Sequence, residues 1–334
     1  MQPVTVGTAK ASPGETARGV IPAGRDFDGP IEIPVIVVRG TRDGPVLWID
    51  GATHGDEAEG SITCWNLAKE VDAKGLAGTL VLVPILNLAA AKNGSRGNPL
   101  DHVNYDLNRV YPGKPNGRGT ERLAWAYYQE FAPKADIVIS LHSGGSVGYM
   151  SRVIYHNDIP ASLELAKAFG VGWDLIVEPA YSVDRRPATG TIEAVSGANG
   201  KPALVVELGG LSESLPDKLL QNSRSLTDGC VNLMRYLKML PGKVERNGRW
   251  KLAREWIVQT GTGGFWLPDS AFRFRKSVKE GTVLARVVDT YGETLEEIKA
   301  PCDGETIGMR TTPYVGLPGD HCVFFAEILN EVTE

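Results

Sequence analysis

Strongly apolar segments alternate with amphipathic ones over the first two thirds of the chain. Four of the apolar segments are hydrophobic on both faces, as strands inside a parallel sheet are: PVLWI, GTLVLVPIL, DIVISL and ALVV. The helical period of three to four residues appears in four other segments: residues 57–71, 120–135, 160–170 and 216–240. This alternation predicts an α/β fold with a mixed, mostly parallel sheet flanked by helices. Thr120 is the predicted N-cap of the second helix.

The pattern changes after Pro241 and Gly242. From there, short apolar runs are separated by Gly, Pro and Asp turns, and no helical period is left. We therefore predict two domains. The first is an α/β domain at residues 1–241, which includes an N-terminal β segment at 1–45. The second is a smaller all-β domain at residues 242–334.

Net charge, apolar runs and cysteine spacing indicate which binding partners and which compartment the protein has. A net charge of -5 and a pI near 5.7 argue against nucleic acid or anionic membranes as main partners. No apolar run reaches the ~18 residues of a membrane span, and the N-terminus lacks the apolar stretch of a secretory signal. The four cysteines are scattered, which is typical of reduced thiols. We predict a cytoplasmic protein with no nucleic-acid and no membrane partner, whose sequence permits a homo-oligomer of unspecified size.

Four side chains that bind metals or transfer protons follow three of the buried strands. His54 and Glu57 come after PVLWI. His142 ends DIVISLH, and Glu207 ends ALVVE. We expect them to converge, because the carboxyl ends of parallel strands meet at one edge of a sheet. Two His and one Glu, with a position open for water, are a catalytic zinc set.

Each of these residues also has a simpler interpretation. An H-x-x-E motif such as that of His54 and Glu57 often arises by chance. A lone histidine such as His142 is more often a packed or hydrogen-bonded residue. Glu207 enters an apolar environment, where an unpaired charge is costly, and either a salt bridge or a catalytic water would satisfy it.

Residues 93–113 have little periodicity but are rich in Asn, Asp and Arg. Arg96 and Arg109 suit a carboxylate, because guanidinium binds it through two parallel hydrogen bonds. Asn108 adds an amide donor. Taken alone, the segment is more typical of a solvated loop, and we assign His102 to that loop.

In their order along the chain, these motifs resemble those of the succinylglutamate desuccinylase/aspartoacylase family, a branch of the zinc carboxypeptidase-like metallohydrolases. HGDE matches its H-G-x-E motif, and DLNRVYPG matches its D-x-N-R-x-[FY]-P-G segment. LHSGG matches its second-histidine motif, and VVELGG matches the strand with its catalytic glutamate. The resemblance covers roughly residues 30–240, and the tail is similar to the C-terminal β domain of the family.

The resemblance implies one Zn²⁺ per chain. Its ligands would be His54, Glu57 and His142. Glu207 would be the catalytic group that activates water.

The same resemblance implies that Arg96, Asn108 and Arg109 polarise the scissile carbonyl or hold the substrate carboxylate, with Arg109 also catalytic. The chain departs from the family at Ser140, where many members have an aspartate two residues before the second histidine. If that aspartate supports the ligand, its loss weakens metal binding or transfers its role to another group.

The function implied is zinc-dependent hydrolysis of an amide, with removal of a small acyl group from an N-acyl amino acid or a related small molecule. LHSGG and the tail look most similar to bacterial N-acetyl-diaminobutyrate deacetylases, so acetyl is the preferred acyl group. Two alternatives stay open. One is a zinc carboxypeptidase acting on peptides, which a cleft capped by the β domain disfavours. The other is a non-catalytic carboxylate-binding relative, which only Ser140 favours.

Overall fold

The fold is known from a computed structural model, which describes residues 1–27, 29–103, 105–178, 189–210, 216–269 and 272–334. The helices are α1 (Glu59–Glu70), α2 (Leu88–Lys92), α3 (Gly119–Lys134), α4 (Pro160–Lys167), α5 (Ile192–Ala198) and α6 (Pro216–Tyr236), with a 3₁₀ turn at Leu107–Arg109. The strands are β1 (Val4–Val6), β2 (Ala9–Ala11), β3 (Glu15–Arg25), β4 (Pro30–Arg39), β5 (Arg42–Asp50), β6 (Ala77–Val83), β7 (Ile137–His142), β8 (Gly148–His156), β9 (Leu175–Val177), β10 (Ala203–Gly209), β11 (Arg249–Gln259), β12 (Gly264–Pro268), β13 (Ser277–Val278), β14 (Val283–Val288), β15 (Thr294–Lys299), β16 (Gly304–Arg310), β17 (Tyr314–Val315) and β18 (His321–Thr333). Within these residues, no helix combines the length and the apolar character needed to cross a bilayer.

A twelve-stranded mixed sheet organises the described chain, in the order β13-β16-β18-β11-β9-β8-β10-β7-β5-β6-β4-β3. Its centre, β10-β7-β5-β6, is parallel. Antiparallel strands border this centre, with β8 on one side and β4 and β3 on the other. The predicted mixed sheet flanked by helices is confirmed.

Each face of the sheet is covered by its own apolar core. Trp48 and Val138 belong to the face that packs on α3 and α5. Leu47, which precedes Trp48, and Ile139, which follows Val138, belong to the opposite face, which packs on α1, α4 and α6. Because both faces are covered, these strands are apolar at consecutive positions, which is the pattern that predicted them.

The C-terminal strands join this sheet. β11 pairs in parallel with β9 and antiparallel with β18, and β16 pairs with both β18 and β8. β13 pairs with β16 at the edge of the same sheet. The other four C-terminal strands form a separate sheet, β15-β14-β12-β17, next to a third apolar core that includes Trp266, Leu284 and Ile298. Every regular element among the described residues after 241 is a β-strand, as predicted. The main sheet nevertheless continues across residue 241, and the domain boundary there stays a prediction.

Two elements near the site escaped the sequence pattern, and one cap was misplaced. β8 was not predicted, because Ser151 and Arg152 interrupt its apolar residues. α5 has seven residues, too few for a helical period to be recognised. The cap predicted at Thr120 is wrong, since α3 begins at Gly119 and the N–H of Thr120 donates to the Asp101 carboxylate at 3.0 Å.

Candidate active site

The strand register brings the predicted metal and proton-transfer residues to one edge of the sheet. β5 leads into the loop that holds His54 and Glu57. β7 ends at His142, and His142 pairs with Glu207 of the parallel neighbour β10. The convergence expected from parallel strands is therefore present in the structure.

Three ligand-type side chains meet at one point. His54 Nδ1 lies 2.7 Å from Glu57 Oε1, and His142 Nδ1 lies 2.8 Å from Glu57 Oε2. The two Nδ1 atoms are 3.2 Å apart. Each of the three residues is at most 3% exposed. Among the described residues they form a group able to hold a metal ion, with ligand atoms within 4.8 Å of one another.

The outer nitrogen of each imidazole faces a hydrogen-bond acceptor. His54 Nε2 lies 3.1 Å from Asp106 Oδ1. His142 Nε2 lies 3.1 Å from the hydroxyl oxygen of Ser140. That hydroxyl donates its own hydrogen to Asp50 Oδ1 at 2.6 Å. Since both acceptors take the hydrogen on Nε2, the Nδ1 lone pairs of both rings are left to face the shared carboxylate.

The chemistry of this set fits a divalent cation. Two Nδ1 lone pairs and one carboxylate, all of them acceptors, meet at the same point. Burial lowers the pKa of His54, but the charge of Glu57 and the hydrogen bond to Asp106 raise it above its ordinary value. Burial raises the pKa of Glu57, yet the two imidazoles hold it well below its usual range. The cluster thus favours positive charge at its centre, and its atoms are of the kinds that bind zinc.

Glu207 carries the properties of a proton-transfer group. Its carboxylate oxygen Oε2 is buried without a hydrogen-bond partner among the described residues. Burial, reinforced by the charge of Glu57, raises the pKa of the Glu207 carboxyl well above its ordinary value, with Arg96 acting in the opposite direction. The salt bridge that would have made Glu207 a structural residue is not found in the described chain. An unpartnered acid beside a metal-type cluster suits general acid–base chemistry.

Arg96 is held against the ligand cluster. Its Nε donates to Asp106 Oδ2 at 3.0 Å, and its Nη1 lies 3.6 Å from Glu57 Oε1. The side chain is 42% exposed, so part of the guanidinium remains accessible. Arg96 therefore contacts Asp106, which orients His54, and also contacts the shared carboxylate of Glu57.

Arg109 and Asn108 have free donors. Arg109 is 57% exposed, and its Nη1 donates to the Asn108 carbonyl at 2.8 Å. The side-chain oxygen of Asn108 accepts from the N–H of Ile192 at 2.9 Å. The Asn108 amide nitrogen has no hydrogen-bond partner within the described ranges. Both residues therefore keep N–H groups that can donate hydrogen bonds to a substrate oxygen.

The loop around the ligands is fixed by its acids and by one glycine. Asp56 accepts from both the N–H and the hydroxyl of Ser146, at 2.8 and 2.7 Å. Glu59 opens α1 and accepts from the N–H of Gly210 at 2.9 Å. A Cβ on Gly55 would lie 2.1 Å from the backbone of Ala90. These acids tie the loop to the segments that follow β7 and β10.

Sequence reasoning missed Asp50 and Asp106 as supporting residues. Asp106 opens the DLNRVYPG segment and Asp50 directly follows PVLWI, but the motif pattern assigned neither carboxylate a supporting role. A usable signal existed for Asp50, since a carboxylate that ends an apolar strand must find partners. His102 is exposed, in agreement with its assignment to a loop.

Three comparisons place the chain among known proteins. Residues 43–234 match the profile of the succinylglutamate desuccinylase/aspartoacylase catalytic domain. The N-alpha-acetyl-L-2,4-diaminobutyric acid deacetylase of Halomonas elongata is 28% identical over 318 residues, which cover 91% of this chain and 88% of that protein. The product-bound structure of the ectoine utilization protein EutE (DoeB) from Ruegeria pomeroyi has a TM-score of 0.80 at 25% identity, covering 93% of this chain and 94% of that one. A succinylglutamate desuccinylase/aspartoacylase structure from Rhodobacter sphaeroides has the same fold, with a TM-score of 0.80 at 22% identity, covering 99% of this chain and 97% of that one.

Proposed function

The chain belongs to the succinylglutamate desuccinylase/aspartoacylase family and is a hydrolase of amide bonds, and on that premise we propose that it is a zinc-dependent deacylase of small N-acyl amino acids. The observation that carries the proposal is the buried convergence of His54, Glu57 and His142 beside Glu207. The relative from Halomonas elongata is named for an N-acetylated substrate. Acetyl is accordingly our preferred acyl group.

The metal centre of the proposal consists of His54 Nδ1, His142 Nδ1 and the Glu57 carboxylate. When bound there, Zn²⁺ supplies Lewis acidity, which acidifies water and polarises a carbonyl oxygen. Glu57 balances the charge of the site, and the two histidines are held by their Nε2 contacts. Without a proton-transfer group beside it, the same centre would be suited to binding a ligand without turnover. The presence of Glu207 is therefore what favours hydrolysis over binding alone.

Glu207 acts in this scheme as the general base and then as the general acid. A raised pKa makes the Glu207 carboxylate a stronger proton acceptor, and in the proposed scheme it takes a proton from the attacking water and returns it to the departing amine. The unpartnered Oε2 is the proposed site of that proton. The bond from the acyl carbon to the water oxygen forms first, and the carbon–nitrogen bond breaks afterwards as the amine nitrogen receives the proton from Glu207. The products are a carboxylic acid and an amine, so water is the only co-reactant.

Arg109, Asn108 and Arg96 complete the scheme as binding groups. The free N–H groups of Arg109 and Asn108 stabilise the developing oxyanion or hold the substrate carboxylate. Arg96 reaches the same region with its accessible part while it holds Asp106. The positive charges of Arg96 and Arg109 favour a substrate with a carboxylate.

Substitution Glu207→Gln tests the proposal. The variant should bind near-stoichiometric zinc yet lose activity on N-acetyl amino acids by about 10³-fold or more, because the amide cannot transfer the proton. Glu164→Gln, a matched exchange at a half-exposed position of α4, should keep full activity. Zinc content and initial rates are the measurements. Full activity in Glu207→Gln would contradict the proposal. So would cleavage of peptides without hydrolysis of N-acetyl amino acids. Failure of the wild type to bind zinc would favour a non-catalytic relative.

A further inference from the structure

A relay of hydrogen bonds lies behind His142, built from two neighbouring strands. Asp50 ends β5 and pairs with Ser140 of β7, 90 residues further along the chain. The hydroxyl of Ser140 donates to Asp50 Oδ1 at 2.6 Å and accepts from His142 Nε2 at 3.1 Å. Asp50 and Ser140 are fully buried, and His142 is 2% exposed. Solvent therefore does not compete for any link of the relay.

The carboxylate at the end of the relay is fixed from its other side. Tyr127 donates its hydroxyl to Asp50 Oδ2 at 2.9 Å, and the hydroxyl of Thr53 donates to Oδ1 at 3.1 Å. The indole N–H of Trp48 in turn donates to the Tyr127 oxygen at 2.8 Å. Each donor has an acceptor, so the hydrogen bonds reinforce one another in a dry environment. The position of the Asp50 oxygen that faces Ser140 is thus set by the core.

We propose that Asp50 and Ser140 are positioning residues, which jointly replace the carboxylate that many members of the family carry two residues before the second histidine. The inference rests on the metal centre proposed above. Adjacent strands lie about 4.8 Å apart, a gap that the serine hydroxyl bridges between the Asp50 carboxylate and the imidazole. The carboxylate has moved to the neighbouring strand, and Ser140 transmits its hydrogen bond to His142.

The relay has a consequence for the metal site that ordinary buried hydrogen bonds lack. It fixes the hydrogen of His142 on Nε2 and the orientation of the ring, so that Nδ1 presents its lone pair to the metal. Loss of either relay residue should therefore weaken metal binding, in addition to any loss of stability. A merely structural role would change stability alone.

Zinc affinity of single variants is the first measurement, made by competition with a chromogenic chelator in the absence of substrate. Ser140→Ala and Asp50→Asn should each weaken zinc binding by about 10-fold to 100-fold. Ser162→Ala is the matched control, because Ser162 is also fully buried and donates to Asn157 Oδ1 at 2.6 Å, far from the cluster. It should lose a similar amount of stability with an unchanged zinc affinity. Wild-type affinity in both relay variants would overturn the proposal.

The second measurement returns the carboxylate to position 140. Ser140→Asp alone sets two buried carboxylates side by side, and the metal-free variant should melt at a lower temperature than the wild type. Combined with Asp50→Asn, the new carboxylate gains an amide donor and contacts His142 directly. The double variant should regain at least about 10-fold in zinc affinity over Asp50→Asn. Additive losses in the double variant would refute a shared role.

Circular dichroism of each metal-free variant shows whether it is folded before affinity is compared. Because zinc affinity needs no substrate, these outcomes are independent of whether the protein hydrolyses N-acetyl amino acids. A protein with an intact relay and no deacylase activity would contradict the proposed function and leave the relay in place.

Discussion

Which nitrogen of each histidine carries the hydrogen determines what the cluster can bind. Asp106 and Ser140 accept the Nε2 hydrogens of His54 and His142, and this directs both Nδ1 lone pairs to the same point. The sequence identified the ligand types and their spacing. It gave no access to the tautomers. The acceptor of His54 lies 52 residues further along the chain, and the Ser140 hydroxyl is left to accept from His142 because it donates to Asp50 of the neighbouring strand.

Arg109 offers a residue-scale prediction. In Arg109→Lys the planar fork is replaced by a single ammonium, which cannot make two parallel hydrogen bonds. We expect kcat/KM for N-acetyl amino acids to fall by about 10²-fold. A loss mainly in kcat indicates oxyanion stabilisation, and a rise mainly in KM indicates binding of the substrate carboxylate. Arg118→Lys, in an exposed position before α3, is the control and should leave both constants unchanged; equal effects of the two exchanges would count against a role for Arg109.

At the scale of elements, the strand ends determine the geometry of the site. β5, β7 and β10 deliver their last residues to one edge because they are parallel and in register. The loop after β5 then passes so close to α2 that position 55 has no room for a side chain. This close backbone approach is the reason for glycine at position 55. The neighbouring Ala52, with a φ of 48°, takes the left-handed conformation instead.

Gly55→Ala is the prediction at this scale. The new Cβ would collide with the backbone of Ala90 and Ala91, each 2.1 Å away, so the loop must move. We expect a loss of about 2 kcal/mol in the free energy of unfolding, and a weaker affinity for zinc, because His54 and Glu57 flank the displaced turn. Chemical denaturation and chelator competition measure the two effects. Gly316→Ala, where a Cβ meets nothing within 4 Å, is the matched control, and equal stability of both variants would contradict the argument.

At the scale of the molecule, the α/β and all-β parts of the chain share one sheet. β11 continues the sheet from β9, and Trp250 and Ala253 of β11 belong to the two main apolar cores. The change in pattern at residue 241 correctly marked where helices stop. We propose that it is a boundary between kinds of secondary structure within one cooperative unit.

Truncation after residue 241 tests this view. The fragment 1–241 would lack β11, which pairs with one edge of β9. It would also expose the apolar surfaces that Trp250 and Ala253 of β11 cover. We expect it to aggregate or to lack a cooperative unfolding transition, whereas the full chain should unfold cooperatively. Calorimetry and light scattering measure both properties. A monomeric fragment with a sharp transition would show instead that residues 1–241 fold independently.

The sequence by itself determined the chemistry: which residue types stand where buried strands end, in what order, and hence the family and the ligand candidates. The hydrophobic period and the spacing within a motif depend on residues that are close together in the chain, so both can be recognised in a single sequence. Tertiary structure alone decided the supporting contacts. Asp50 acts on His142 through Ser140 only because β5 and β7 are neighbours in register, which pairs Asp50 with a serine 90 positions further along the chain. The serine at position 140 looked like a defect in the motif, and it has a role only because the strand beside it supplies the carboxylate.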